Sequence, residues 1–481
     1  MKRIIFLILP IVLMTACVES LDDWNVDQKK ASAVPPKTLF TNATKSMIDI
    51  ITTPNVNSNN FRMFVQYWAT TTYLDEPRYN MTQRLYSQNQ WYAAYRDALS
   101  DLNEAKRLIN EDAITAADVK NNQLALVEIM EVYSWNFLVN TFGDVPYTEA
   151  LDSDNLLPAY DDAATIYNDL LVRLDAAIAK LTPGVASFGS SDVIYGGSAA
   201  KWVLFANSLK LKMGMLLADV DNAKAKTLVE QAFQGGLILT NADRARFPYI
   251  SAPPNNNPVS ANLNKQFTSR EDFVITSTII DAMKLRNDPR LPQYFTPVGT
   301  EYIGGKYGFS NPYANYSHVS TKNIDPTFEG LFIDASEVEF LLAEAVERGY
   351  SGVTGTAAEH YSNGITLSIT YWGGTAAEAT AYLAQPTVAY ATATGDWKEK
   401  IGTQKWIALN NRGWDAWVEW RRLDQPVLLP PSGPSIPTAL TIPTRMIYPV
   451  IEQTVNGDQW TTAAGRYNSD SPNAKLFWDK N

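Results

Sequence analysis

Apolar residues recur at helical spacing through most of the first half of the chain, separated by polar breaks. The spacing predicts a helix over 38–51 and a polar loop over 52–60. Phe61, Phe64, Tyr67 and Trp68 again fall at helical spacing and read as core. Trp91, Tyr95, Ala98, Leu102, Ala105 and Ile109 share one face, behind a capping-box pattern at Ser87 and Gln90. A second capped start at Thr115 and Asp118 leads into the stripe Leu126, Met130, Tyr133 and Phe137, which stops at Gly143 and Pro146. The pattern repeats over 162–181, 199–219 and 221–233, the last ending at a Gly235-Gly236 cap. Helices of this length joined by turns read as stacked hairpins. Their segment lengths are near the roughly 34 residues of tetratricopeptide-type units, although the consensus residues of that repeat are absent.

Beyond Thr240 the pattern loosens. Residues 251–264 form a Pro/Asn-rich loop, 271–284 a helix, and 289–328 a long irregular stretch carrying many aromatics. A loop this long is usually functional or disordered, and its aromatics argue against disorder. Helices resume over 336–347, where Ser336 and Glu339 could cap, and over 356–372 and 375–385. Residues 396–423 are the richest in Trp and read as core; the end, from Pro426, is irregular. The expectation is an all-α fold of tetratricopeptide-like helical hairpins with long irregular loops. It forms one domain over 38–481, with the scaffold mainly in 38–240 and a loop-rich, ligand-facing part in 241–481.

The amino terminus adds location. Lys2 and Arg3 precede an apolar run from Ile4 to Met14, too short to span a membrane at about 20 residues. This is a secretory signal. Met14-Thr15-Ala16-Cys17 has the layout of a bacterial lipobox, in which Cys17 is acylated and becomes the new terminus; a plain signal peptide that happens to contain a Cys is the alternative. The predicted boundaries are a signal peptide over 1–16 and a lipidated tether over 17–37. Acyl chains contribute about 0.8 kcal/mol per buried CH₂, so a multiply acylated Cys17 anchors the protein to a membrane. Glu19, Asp22 and Asp23 follow directly, either as a surface-export signal or as a solvated acidic tether.

Composition then excludes several classes. Cys17 is the only Cys, so no disulfide framework is available. A net charge of −11 argues against nucleic acid as a partner. His318 and His360 are the only histidines, which rules out a multi-His metal site. Asp152-Ser153-Asp154 starts like a calcium loop but lacks the Gly and closing Glu, and reads as a solvated turn. No nucleophile elbow, zinc helix or phosphate loop is present. A glycosidase pair of carboxylates cannot be singled out among 51 acidic residues. The informative content is aromatic: 13 Trp, 24 Tyr and 18 Phe, whose flat faces suit both core packing and sugar rings.

Six stretches together resemble one family. They are Asn140-Thr141-Phe142-Gly143-Asp144-Val145-Pro146-Tyr147, Tyr195-Gly196-Gly197 with Lys201-Trp202 and Phe205 to Leu209, and Asn287-Asp288-Pro289-Arg290-Leu291. The others are Ser336 to Ala345, Tyr361 to Gly373, and Arg445-Met446-Ile447-Tyr448-Pro449 with Glu452 and Asn456. In this order, behind a lipobox, the chain resembles the SusD/RagB-like nutrient-binding lipoproteins of Bacteroidetes outer membranes, in their SusD-like type 2 branch. Met14 is a mild departure from that pattern.

The resemblance implies a SusD-like helical fold and a SusC-like, TonB-dependent barrel transporter as partner. It implies capture of an oligosaccharide, or in some members of peptides, at the outer face of the outer membrane, with no cleavage and no cofactor. The matched motifs are scaffold, so no binding residue carries over. The two loops that hold aromatics among polar residues supply the candidate ligand-binding residues instead. They are Tyr73, Asp75, Arg78 and Tyr79 in the first, and Tyr307, Phe309, Tyr313 and Tyr316 in the second. Ring stacking, with Asp75 and Arg78 bonding hydroxyls, would make a shallow sugar platform; rings that only pin their own loops are the alternative.

Overall fold

The computed structural model describes residues 34–480. Cys17, the signal peptide over 1–16 and most of the tether lie outside the described residues. Helix α1 (Pro36–Thr52) starts with Pro at its first position, where a missing N–H is harmless and the fixed φ suits a helix. Helix α2 (Tyr86–Ala94) passes through one π turn, Tyr95–Leu99, into α3 (Ser100–Glu111). The capping box expected at Ser87 and Gln90 does not form. The helix has already begun at Tyr86, and Gln90 donates to the Ser58 carbonyl at 3.0 Å. Helix α4 (Ala117–Phe142) likewise lacks its expected cap, because the Thr115 hydroxyl turns back to Asp112. From Ile129 onward α4 is buried on every side.

Helices α5 (Ala163–Lys180), α6 (Ala199–Leu216) and α7 (Asn222–Gly235) start at side-chain caps. Asp162, Ser198 and Asp221 accept from the backbone N–H three residues on. Helix α4 packs on α5 and α6 on α7, giving the hairpins the sequence predicted. The second half contributes α8 (Ser277–Lys284), α9 (Ala335–Glu347), α10 (Ala357–Trp372) and α11 (Ala376–Leu383). Helices α12 (Trp397–Ala408), α13 (Gly413–Leu423) and α14 (Gly457–Arg466) follow. The helix expected over 271–284 is shorter. Phe273–Ile275 is a strand paired antiparallel with Trp68–Thr70, which also takes Trp68 out of the expected helical run. Asp334, not Ser336, caps α9, while Ser336 donates to the Gly364 carbonyl. The tail past Pro426 is not wholly irregular, since it holds α14. Strands are two to four residues long, in two-stranded ladders, and the architecture is helical.

One apolar core runs from Phe40 to Trp478 and so joins both halves of the chain. The motif stretches are its joints. Arg445 donates to the Phe142 carbonyl at 3.0 Å and pairs with Asp470 at 2.6 Å. Tyr448 donates to the Asp144 carbonyl, and the Tyr467 hydroxyl to Asp144 Oδ1, both at 2.8 Å. Gly143 has φ +88°, and a Cβ there would lie 2.4 Å from the Tyr467 hydroxyl oxygen. Arg290 pairs with Asp288 at 2.6 Å, both fully buried, and Tyr382 donates to the same carboxylate. Lys212 on α6 pairs with Glu337 at 2.8 Å and with Asp415. Arg412 closes that cluster on Glu337 at 2.7 Å.

Candidate functional site

The two aromatic loops, over 200 positions apart in sequence, meet in the fold. The pairing of Trp68–Thr70 with Phe273–Ile275 starts this, since β-branched and aromatic residues favour a pleated, buried strand. The second loop is then sewn to the same strand. Gly305 N–H donates to Ile275 O at 2.7 Å, and Ile275 N–H to Ser317 O at 2.8 Å. Asn311, almost wholly buried, holds the tip. Its Oδ1 accepts from Lys306 N–H at 2.8 Å, and its Nδ2 donates to Thr70 O at 3.2 Å and to Phe309 O at 2.6 Å. Arg78 Nε donates to Gly308 O at 3.0 Å, and Ser310 Oγ to Thr71 O at 2.6 Å. Gly308 has φ +78°, and a Cβ there would meet Pro431 at 2.3 Å, so a third segment closes on this tip.

The candidate residues divide into two groups. Tyr79 and Tyr307 are buried, at 9% and 7% exposure, with ring centroids 6.3 Å apart. Tyr79 also contacts Phe64 and takes a left-handed backbone conformation. Burial pushes both hydroxyls well up. These two rings are closed off from the surface and pack the two loops together, while a stacking face is left to the rings that reach the surface. Arg78 donates its Nε to the Gly308 carbonyl, and Asp75 accepts from Asn80 Nδ2 at 3.2 Å.

The others reach the surface. Tyr73 is 56% exposed, with the Arg84 guanidinium 5.2 Å from its ring centroid. Phe309, Tyr313 and Tyr316 are half-buried. Lys306 lies 3.9 Å from the centre of the Phe309 ring. Tyr313 stacks on His318 at 3.7 Å and 17°, a rigid two-ring platform, and its hydroxyl is pushed up by burial. Beside Tyr73 a cleft of about 170 Å³ is lined by Thr70, Arg84, Arg270 and Phe273.

The sequence reading missed His318, Arg84, Lys306 and the whole segment 427–433. Gln66 Nε2 donates to Leu429 O at 2.7 Å, which places Val427 and Leu429, both over 70% exposed, beside the loops. A histidine among so few was a usable signal; nothing in the local pattern marked 427–433. The arrangement brings aromatic rings and the cations Arg84, Arg270 and Lys306 to one surface, together with the carboxylates of Asp272 and Glu271.

A family model for SusD-like proteins, described as "Starch-binding associating with outer membrane", matches residues 28–449. The chain belongs to the SusD-like family. Comparison with curated proteins returns no match. Among solved structures, this SusD-like chain is similar to a chitin-binding protein at 27% identity and TM-score 0.80, covering 93% of this chain and all of that one. It is similar to a chitin-binding SusD homologue from Flavobacterium johnsoniae at 25% identity and TM-score 0.77, covering 92% and 99%. It is also similar to a SusD homologue from Bacteroides uniformis at 26% and 0.75, again over 92% and 99%. Among the described residues no helix is long and apolar enough to cross a membrane.

Proposed function

We propose that this SusD-like protein is a lipid-anchored binding protein at the cell surface. It captures oligosaccharides without cleaving them and passes them to a SusC-like, TonB-dependent transporter in the outer membrane. The observation that carries this reading is the surface where the two aromatic loops meet. Tyr73, Phe309, Tyr313 and Tyr316 reach the surface there among the cations Arg84, Lys306 and Lys265, while buried Tyr79 and Tyr307 fix the backbone beneath them. Sugar C–H faces stack on such rings, and preformed geometry lowers the entropy cost of binding. Chitin binding in two related structures and the family description both favour a glycan. Acylated Cys17 supplies the anchor.

Isothermal titration of the soluble chain, starting after Cys17, against oligosaccharides and a mixed peptide pool tests the proposal. Heat from one glycan class, with that glycan recovered intact, is expected; heat from peptides alone moves the protein to peptide capture. Tyr73→Ala with Tyr313→Ala should weaken glycan binding about tenfold or more without moving the melting temperature. Unchanged affinity in that double variant rejects the loop site.

A further inference from the structure

A second cleft, of about 600 Å³, shares no residue with the loop site. Its wall is the end of α2 with the π turn, facing the 146–158 segment and the short turn Glu452–Val455. Trp91, Tyr92 and Tyr95 line it, with Leu156 at the lip and Glu452 and Asn456 opposite. Small-molecule sites have this character: about 300–1,000 Å³, mostly apolar and aromatic, with few polar groups.

Three independent features set the cleft apart from a packing gap. The first is the π turn. Such turns are uncommon and recur at functional sites, and this one begins at a residue of the wall. Tyr95 is held by a 2.6 Å bond from its hydroxyl to Pro146 O and by Trp91, 4.8 Å away between ring centroids. The second is Glu452. Its Oε2 accepts from the Tyr160 hydroxyl at 2.7 Å, and no cation among the described residues lies within ion-pair reach. Burial holds this carboxyl above its ordinary range, and Tyr160 only partly offsets that. The third is Leu156, 82% exposed, an apolar lip that an occupant would cover.

We propose that this cleft is a second saccharide site. A neutral sugar would lay its C–H face on Tyr92 and Tyr95 and donate hydroxyls to Glu452 and to the Asn456 carbonyl oxygen. A cationic ligand fits less well, because the Arg96 guanidinium lines the same cleft, 5.1 Å from the centre of the Tyr92 ring, and would repel it. The Asn456 amide is positioned for this, since its Nδ2 donates to Pro158 O at 2.9 Å and leaves Oδ1 as the free acceptor.

The proposal rests on glycan capture, and its test separates the two. Titration of the chain starting after Cys17 with chitohexaose, maltoheptaose and cellohexaose is run on the wild type and on the Tyr73→Ala/Tyr313→Ala background. The background should keep one weaker binding event. Glu452→Gln and, separately, Tyr92→Ala should each weaken that event by about tenfold, with melting temperatures unchanged. Loss of all binding in the background overturns the cleft and leaves capture standing. Residual binding that neither variant alters overturns the cleft as well. A wild type silent to all three sugars overturns both readings.

Discussion

His360 is the residue whose charge the hairpin of α9 and α10 controls. Its Nδ1 lies 2.6 Å from Glu339 and its Nε2 2.9 Å from the Thr354 carbonyl. Burial opposes the imidazolium, but the carboxylate and the carbonyl outweigh it and hold the pKa above 6.5. A raised folded-state pKa stabilises fully below the unfolded value and fades as pH rises through the folded one. Denaturant titrations at about pH 5.5 and about pH 8.5 should therefore show less stability contributed by His360 at the higher value. The wild-type minus His360→Gln difference measures it; a difference that grows with pH contradicts the pairing. Asp288 and Arg290 carry a larger stake, being wholly buried. Arg290→Met strands a buried carboxylate that keeps only the Tyr382 hydroxyl and the backbone N–H of residue 290, and should cost roughly 3–5 kcal/mol in urea unfolding. At this scale the sequence was a poor guide to exposure. Tyr79 and Tyr313 look alike in polar loops, yet one is buried on Phe64 and Tyr307 and the other stacks on His318 at the surface.

Helix starts show what local pattern can and cannot carry. Thr356 and Thr375 form complete capping boxes with Glu359 and Glu378. Ser87 with Gln90 has the right spacing but sits inside a helix that began at Tyr86, and the Ser87 hydroxyl is buried without a partner among the described residues. Thr356→Ala should thus lose about 1 kcal/mol, whereas Ser87→Ala should be neutral or slightly stabilising. Equal losses from the two changes, read by thermal melts, would show that Ser87 caps after all. The helix periods of α5 and α7 were legible because each buries one stripe and exposes the opposite face. Phe273-Val274-Ile275 was not, since a short apolar run fits a strand or a helix and only its partner, Trp68–Thr70, decides.

For the whole molecule, the division into a scaffold over 38–240 and a ligand-facing remainder overlooks where the scaffold's buried polar groups are satisfied. Asp144 is bonded by Tyr448, Arg466 and Tyr467, and the Phe142 carbonyl by Arg445. Trp478 Nε1 donates to Asn140 Oδ1 at 2.8 Å, and Lys212 has its counter-charges at Glu337 and Asp415. Every one of these partners lies beyond residue 330. Net stabilities of domains are only about 5–15 kcal/mol, so losing these bonds together with the packing around them is enough to remove cooperative folding of the first half alone. Pattern reading found the motifs that carry these joints but could not show that they close on one another, because the contacts span well over 100 positions and several of them over 300. A fragment ending at residue 240 should keep helical far-ultraviolet dichroism yet show no near-ultraviolet signal and no cooperative melt, while the full mature chain unfolds in one transition. A sharp independent melt of the fragment would mean that its hairpins bury enough apolar surface alone and that the joints serve only to orient the loops.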